Sequence, residues 1–274
     1  VSGVVVVTGA ASGIGCALTT RLLALGYRVL ATDVRLEALQ ASREAQRWPA
    51  SHALLARLDV SRQSDWELAL DAAERHFGPV DVLLNVAGWL EPGRVGGLAE
   101  ASVRRCIEVN VLGVMFGTDA AARRMVARGR GHIVNVASLA GLAPVSGLAV
   151  YSGSKFAVRG FSLAAALDLR PHGVLVSVVC PDAVETPMLD LQRDFEEAAI
   201  TFSGARALTV DEVCRAVVDE ALGKRRLEVV LPRSRGGLAR MAGAMPALAG
   251  LLEPLLRKRG LQAMRRRGGR HSEG

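Results

Sequence analysis

Tyrosine and lysine are nearly absent from this chain. It has two tyrosines, and its only lysines are Lys155, Lys224 and Lys258, every other basic residue of the 34 being arginine. Cysteine is sparse as well: Cys16, Cys106, Cys180 and Cys214 are too far apart for a CxxC metal or redox motif. The five histidines form no HExxH or other zinc-ligand cluster. Each cysteine falls in a helix or strand pattern, so small buried side chains in a reducing, cytoplasmic compartment are expected. No 18-residue apolar run is present, and no membrane-spanning helix is expected. The opening VSGVVVVTG has no basic flank or small-residue cleavage site, and reads as a strand rather than a leader.

Acidic residues are scarce in one region only. From Lys224 to the end there are 13 Lys+Arg and 3 Asp+Glu, a net of +10, whereas residues 1–223 hold 21 and 24, a net of −3. The overall +7 is therefore a property of the tail, which suggests an acidic partner for it.

What is abundant is hydrophobic sequence, half of all residues. Apolar β-branched runs at 4–8, 28–33, 53–59, 80–86, 132–138, 174–180 and 228–231 read as strands. Helical patterns lie between them at 13–25, 35–47, 61–77, 99–128, 151–170 and 209–223. Strands apolar on both faces and separated by helices predict one doubly wound α/β domain with a parallel, Rossmann-type sheet over residues 1–232. Ligands of such sheets bind at the carboxyl ends of the strands. A long connection at about 187–208 reads as a lid. Residues 233–274 read as a helical, basic extension.

The first strand runs into VVVVTGAASGIG, with Gly9, Gly13 and Gly15 ahead of a helix. Such glycines let a pyrophosphate approach main-chain N–H groups at a helix N-terminus. Asp33 closes the second strand about 20 residues on, the place of a carboxylate that bonds ribose hydroxyls and repels a 2′-phosphate. Arg35, two residues later, is the counterweight. NAD is favoured, with NADP as the alternative. The scarce tyrosine and lysine then meet in YSGSK: Tyr151 and Lys155 stand one helical turn apart. An ammonium so placed, together with the positive nicotinamide of the oxidised cofactor, is expected to lower a phenol pKa from about 10 and make Tyr151 a general acid and base. Ser138 ends the fifth strand, where its hydroxyl can hold a substrate oxygen.

The glycine spacing is TGxxxGxG, and with the later motifs it resembles the short-chain dehydrogenase/reductase family over residues 4–231. NVAG at 85–88 resembles the family's NNAG, and PDAVETP at 181–187 resembles PGxVxTP, with Asp182 replacing a glycine. The resemblance implies a catalytic tetrad of Asn110, Ser138, Tyr151 and Lys155. It implies cofactor contacts from Thr8, Gly9, Ser12, Gly13, Ile14, Gly15, Asp33, Asp59 and Val60. Further contacts are implied from Asn85, Ala87, Gly88, Tyr151, Lys155, Pro181, Val184 and Thr186. Lys155 is also expected to bond the nicotinamide ribose, and Asn110 to anchor a water. A homodimer or homotetramer built on the helices at 99–128 and 151–170 is implied as well.

Near-motif positions Trp89, Leu90, Leu139, Val145, Leu148 and Met188, with Phe195 and Phe202 of the lid, are apolar. They predict a hydrophobic secondary alcohol or ketone as substrate, of steroid, retinoid, lipid or aromatic type. The alternative function is a catalytically silent nucleotide-binding sensor on the same fold. In the tail, Leu238, Met241, Met245, Leu248, Leu252 and Leu255 form one helical stripe, with Pro246 and Pro254 expected to divide it into short helices. That stripe either packs over the body and lid or meets a membrane surface, with the arginines on anionic lipid. Nucleic acid is not expected as a partner, because the basic run has no interleaved aromatics.

Overall fold

In the computed structural model, which describes residues 3–268, the apolar runs become seven parallel strands of one sheet among the described residues. These are β1 (Val4–Thr8), β2 (Arg28–Asp33), β3 (Ala53–Arg57), β4 (Val82–Asn85), β5 (Gly131–Val136), β6 (Val174–Pro181) and β7 (Glu228–Leu231), in the spatial order β3-β2-β1-β4-β5-β6-β7. Alternation along β1 explains why a continuous valine run suits this place. Val4 and Val6 face α3 (Gln63–Phe77) and α5 (Gly113–Ala127), in a core with Trp66, Leu70 and Met125. Val5 and Val7 face α1 (Gly13–Ala24), with Leu18 and Leu22, and α2 (Leu36–Gln46), with Leu39. Both sheet faces are dry, so the expected doubly wound Rossmann-type sheet is what the chain forms. The strand order reverses between β1 and β4, which opens a crevice at their carboxyl ends.

Three strands stop short of the expected limits. Asp59, Val86 and Ser138 lie beyond the ends of β3, β4 and β5. Having left the ladder, they turn toward the crevice instead of pairing. The helix expected at 99–128 runs unbroken from Glu100 to Ala127 but changes register: α4 (Glu100–Ile107) passes through a π-helical turn, Glu108–Leu112, into α5. The helix expected at 209–223 begins as α8 (Val210–Arg215), capped by Thr209 and Glu212 in a reciprocal box, and continues in π register over Ala216–Gly223. The long α6 (Ala149–Leu169) carries YSGSK in its first turns.

The lid holds the short α7 (Pro187–Asp190) and a 3-10 helix, Glu196–Ser203. The extension forms α9 (Arg233–Ala244) and α10 (Pro246–Gly268). Pro246 divides them as expected, at a helix start where its missing N–H costs nothing. Pro254 does not: α10 runs through it. The carbonyl it crowds, four residues back, belongs to the exposed Gly250, so water can take over the lost bond. The apolar stripe also splits. Leu238, Met241, Met245 and Leu255 face outward, Leu252 is half-buried, and the side chain of Leu248 lies outside the described residues. Residues 269–274 of the extension are likewise outside them.

Candidate active site

The glycine loop is shaped by close approach as much as by turning. Gly9 has φ +68°, and a Cβ there would stand 2.9 Å from the Ala87 Cα. A Cβ on Gly15 would meet the Gly9 carbonyl oxygen at 2.2 Å. The loop is therefore wound onto itself and onto NVAG. Thr8 secures this join, its hydroxyl accepting from the backbone N–H of Val86 at 2.9 Å and of Ala87 at 3.0 Å. Asp33 is buried at the end of β2. It accepts from the N–H of Ala11 at 3.2 Å and of Arg35 at 3.0 Å. The Arg35 guanidinium lies 3.5 Å from the same carboxylate. Asp59 accepts from Ser61 at the end of β3.

At the opposite end of the crevice β5 delivers Ser138, whose hydroxyl accepts from the Ala140 N–H at 3.1 Å and caps a 3-10 turn. Tyr151 and Lys155 follow one turn apart on α6. The Lys155 ammonium, 4% exposed, donates to the Val136 carbonyl at 2.9 Å and stands 5.6 Å from the Tyr151 ring centroid. Burial pushes the Tyr151 phenol up to about 12, a hydrogen bond to Ser138 opposing it only in part. Burial also lowers Lys155 to about 8. Desolvation thus dominates the Tyr151 phenol in the protein alone, before the positive nicotinamide that shares in the expected acidification is bound.

Asn110 is fully buried in the π-helical turn. Its amide clasps the Trp89 backbone, accepting from the N–H at 2.7 Å and donating to the carbonyl at 2.8 Å, and it also donates to Ser154 at 3.0 Å. It therefore fixes the segment after NVAG and the helix carrying Tyr151 relative to each other. Asn85 faces the core, donating to Asn135 at 2.9 Å.

Between these ends lies a cavity of about 1190 Å³, above the roughly 300–1,000 Å³ common for a single small ligand. Gly9, Ser12, Gly13, Ile14, Gly15, Asp33, Asp59 and Val60 line it, as do Ala87, Gly88, Trp89, Leu90, Ser138, Leu139, Val145, Leu148, Tyr151, Lys155, Pro181, Val184, Thr186 and Met188. Thr8, Asn85, Asn110, Phe195 and Phe202 are not among its lining. Thr8, Asn85 and Asn110 are turned to main chain or core. Phe195 is exposed where it precedes the 3-10 helix, and Phe202 packs against the Leu90, Leu148 and Ala198 cluster.

The extension, one of whose expected placements is over the body or lid, also forms a wall of the cavity, which sequence reasoning did not find. Arg235, Leu238, Ala239 and Ala242 of α9, and Leu252, Glu253 and Leu256 of α10, line it beside the lid. Arg235 forms a 2.8 Å ion pair with Asp182, whose side chain is 12% exposed. Burial raises the Asp182 carboxyl, and Arg235 pulls against that. The carboxylate standing where the family pattern has glycine thus holds the extension against the end of β6. Its partner lies 53 positions away with no spacing signal, and only the substitution itself hinted at a role.

Comparison with known proteins agrees with this geometry. A family model described as short chain dehydrogenase matches residues 3–197. A 2-(R)-hydroxypropyl-CoM dehydrogenase of Xanthobacter autotrophicus is 37% identical over 201 residues, 72% of this chain and 80% of that protein. A 3-alpha-(or 20-beta)-hydroxysteroid dehydrogenase of Mycobacterium bovis is 35% identical over 216 residues, 78% of this chain and 80% of that protein. Among solved structures, a short chain dehydrogenase/reductase from Burkholderia phymatum in complex with NAD superposes with a TM-score of 0.80. It is 28% identical, with 90% of this chain and 95% of that chain covered. The matched family region ends before α9 and α10.

Proposed function

This chain belongs to the short-chain dehydrogenase family, and from that premise we propose how an NAD(P)-dependent oxidoreductase with these residues handles a hydrophobic secondary alcohol and its ketone. The observation that carries the reading is the meeting of Ser138, Tyr151 and Lys155 at one end of a cavity whose other end is the glycine loop and Asp33. The chain's residues suit the dinucleotide. The loop of Gly9, Gly13 and Gly15 lines the cavity at the N-terminus of α1, where main-chain N–H groups can take a pyrophosphate, and Gly9 and Gly13 supply the positive φ its tight winding needs. Asp33 presents a carboxylate for ribose hydroxyls that would repel a 2′-phosphate, and its pairing with Arg35 engages that guanidinium, so NAD is preferred over NADP.

The nicotinamide, when bound, accepts or supplies the hydride. The accompanying proton is the protein's task. In ketone reduction, Tyr151 gives its phenolic proton to the substrate oxygen while the Ser138 hydroxyl holds that oxygen in place. In alcohol oxidation, the phenolate takes the proton back, and the Lys155 cation stabilises it. Burial raises the phenol pKa in the protein alone, so the phenolate that oxidation requires depends on the Lys155 cation and the positive nicotinamide. Apolar lining by Leu139, Val145, Leu148 and Met188, closed over by Leu252 and Leu256, selects a hydrophobic substrate. The similarity to a hydroxysteroid dehydrogenase supports that class.

Residues 1–232 act as the catalytic unit, 187–208 as its lid and the extension as an added wall. A homodimer or homotetramer through α4–α5 and α6 is supported by the exposed Ile107, Leu112, Phe156 and Leu167 on those helices. The test is Tyr151→Phe: turnover of an apolar ketone panel falls by at least about a thousandfold, while NADH binding, followed by fluorescence, persists. A silent sensor would bind NADH equally well in both forms and turn over nothing in either.

A further inference from the structure

The extension has two unlike faces. On α10 the inward side is made by Glu253, Leu256 and Gly260, and a Cβ on Gly260 would stand 1.8 Å from the Ala199 carbonyl of the lid. That side is committed to packing. The opposite side presents Leu251 (79% exposed), Leu255 (55%), Lys258 and Arg259 in successive turns. At three- and four-residue steps these share one face, apolar toward the start of the helix and cationic beyond it. On α9, Leu238 and Met241 share an outward face in the same way, and with Met245 just past its end they are about half exposed.

None of these residues belongs to the core, and they cluster on the two adjacent helices of the extension. One of them reaches the substrate cavity: Leu238 is both exposed and part of its lining, as is Leu191 of the lid. The apolar interior of the cavity therefore continues outward onto an apolar rim. Charge identifies what the rim meets. Residues 233–274 carry ten arginines and lysines against two glutamates, while the body is net acidic. Three of the cations are already engaged in the protein, Arg233 with Glu220, Arg235 with Asp182 and Arg240 with Glu228. No helix among the described residues is long and apolar enough to cross a membrane. An exposed leucine and methionine face edged by cations fits an interface with the headgroups and upper acyl chains of an anionic bilayer.

We propose that the outward faces of α9 and α10 are a docking surface for an anionic lipid bilayer, seating the mouth of the substrate cavity at the headgroups so that an apolar substrate enters from the lipid. Binding to lipid is independent of the hydride chemistry, so the two readings fail separately. Vesicle flotation of the full chain tests it, using equimolar phosphatidylglycerol and phosphatidylcholine, with pure phosphatidylcholine for comparison. The protein floats with the anionic vesicles and far less with the neutral ones.

Leu251→Glu with Leu255→Glu lowers the partition at least about tenfold. Lys258→Ala with Arg259→Ala lowers it about 30-fold at low ionic strength, from roughly fivefold per cation. Leu68→Glu, on the exposed side of α3, leaves it unchanged. All of these positions lie outside the cavity lining, so each variant keeps turnover of a water-soluble ketone, which reports that it is folded. The proposal is overturned by failure to float with anionic vesicles. It is equally overturned by flotation that neither pair of substitutions weakens, or by a self-association that the Leu251/Leu255 pair abolishes in a protein that ignores lipid.

Discussion

Replacing Gly243 with alanine sets two effects of opposite sign against each other inside one helix. Glycine in a helix interior is about 1 kcal/mol worse than alanine. On propensity alone the change should therefore stabilise α9. The Cβ it adds, however, would lie 2.0 Å from the Leu142 carbonyl oxygen, a backbone atom that cannot swing aside. Overpacking of this kind costs about 1–3 kcal/mol and sometimes more, so contact wins and the helix is pushed off the loop after Ser138. Gly237 sits in the same helix with nothing within 4 Å of an added Cβ, so there propensity stands alone. The expected outcome is opposite signs. Gly237→Ala raises the melting temperature by about 2–4 °C, and Gly243→Ala lowers it by a comparable amount, since 1 kcal/mol moves a chain of this size by that much. Gly243→Ala also exposes the extension to limited proteolysis, because local opening is what the clash favours. Calorimetry and a protease time course on the three proteins decide it. Equal stabilisation by both alanines would mean that α9 is helical but does not rest on Leu142, and the wall it gives the cavity would be lost with it.

Three further outcomes follow from the site and its surroundings. Asp182→Asn leaves the one-third-exposed Arg235 without its ion-pair partner and lowers stability by roughly 1–2 kcal/mol, between surface and buried pairs. Adding Arg235→Gln then costs little more, and a thermal double-mutant cycle with no coupling would refute the clamp. His132, 8% exposed, is held by burial at about 4 against an ordinary 6.5. Its neutral form therefore contributes stability that is complete above pH 6.5 and is lost as pH falls toward 4, by roughly 3 kcal/mol. His132→Gln should flatten that part of the wild-type profile in denaturant titrations, and an unchanged slope would show that the imidazole is not buried neutral. Asp33→Asn removes the carboxylate that repels a 2′-phosphate, and raises the NADP-to-NAD ratio of kcat/KM by at least about tenfold. A ratio that does not move would place cofactor choice elsewhere.

The sequence by itself determined the sheet, the glycine loop and the Tyr151–Lys155 pair, for physical reasons that are local. Period-two burial, a helix opening on glycines and a four-residue spacing are all written within a dozen neighbouring residues. The family resemblance added Ser138 and Asn110 as tetrad members, but not what Asn110 touches. That depended on a π-helical turn that lets its amide grip the Trp89 backbone. Tertiary structure alone decided that Asn85 faces the core, and that burial opposes ionisation of the Tyr151 phenol. It also decided that Pro254 is tolerated within α10 and that the extension closes the cavity through Asp182 and Arg235. Each of these turns on desolvation or on contact between segments far apart in the chain. Such effects depend on what surrounds a side chain in three dimensions, and no spacing along the sequence records them.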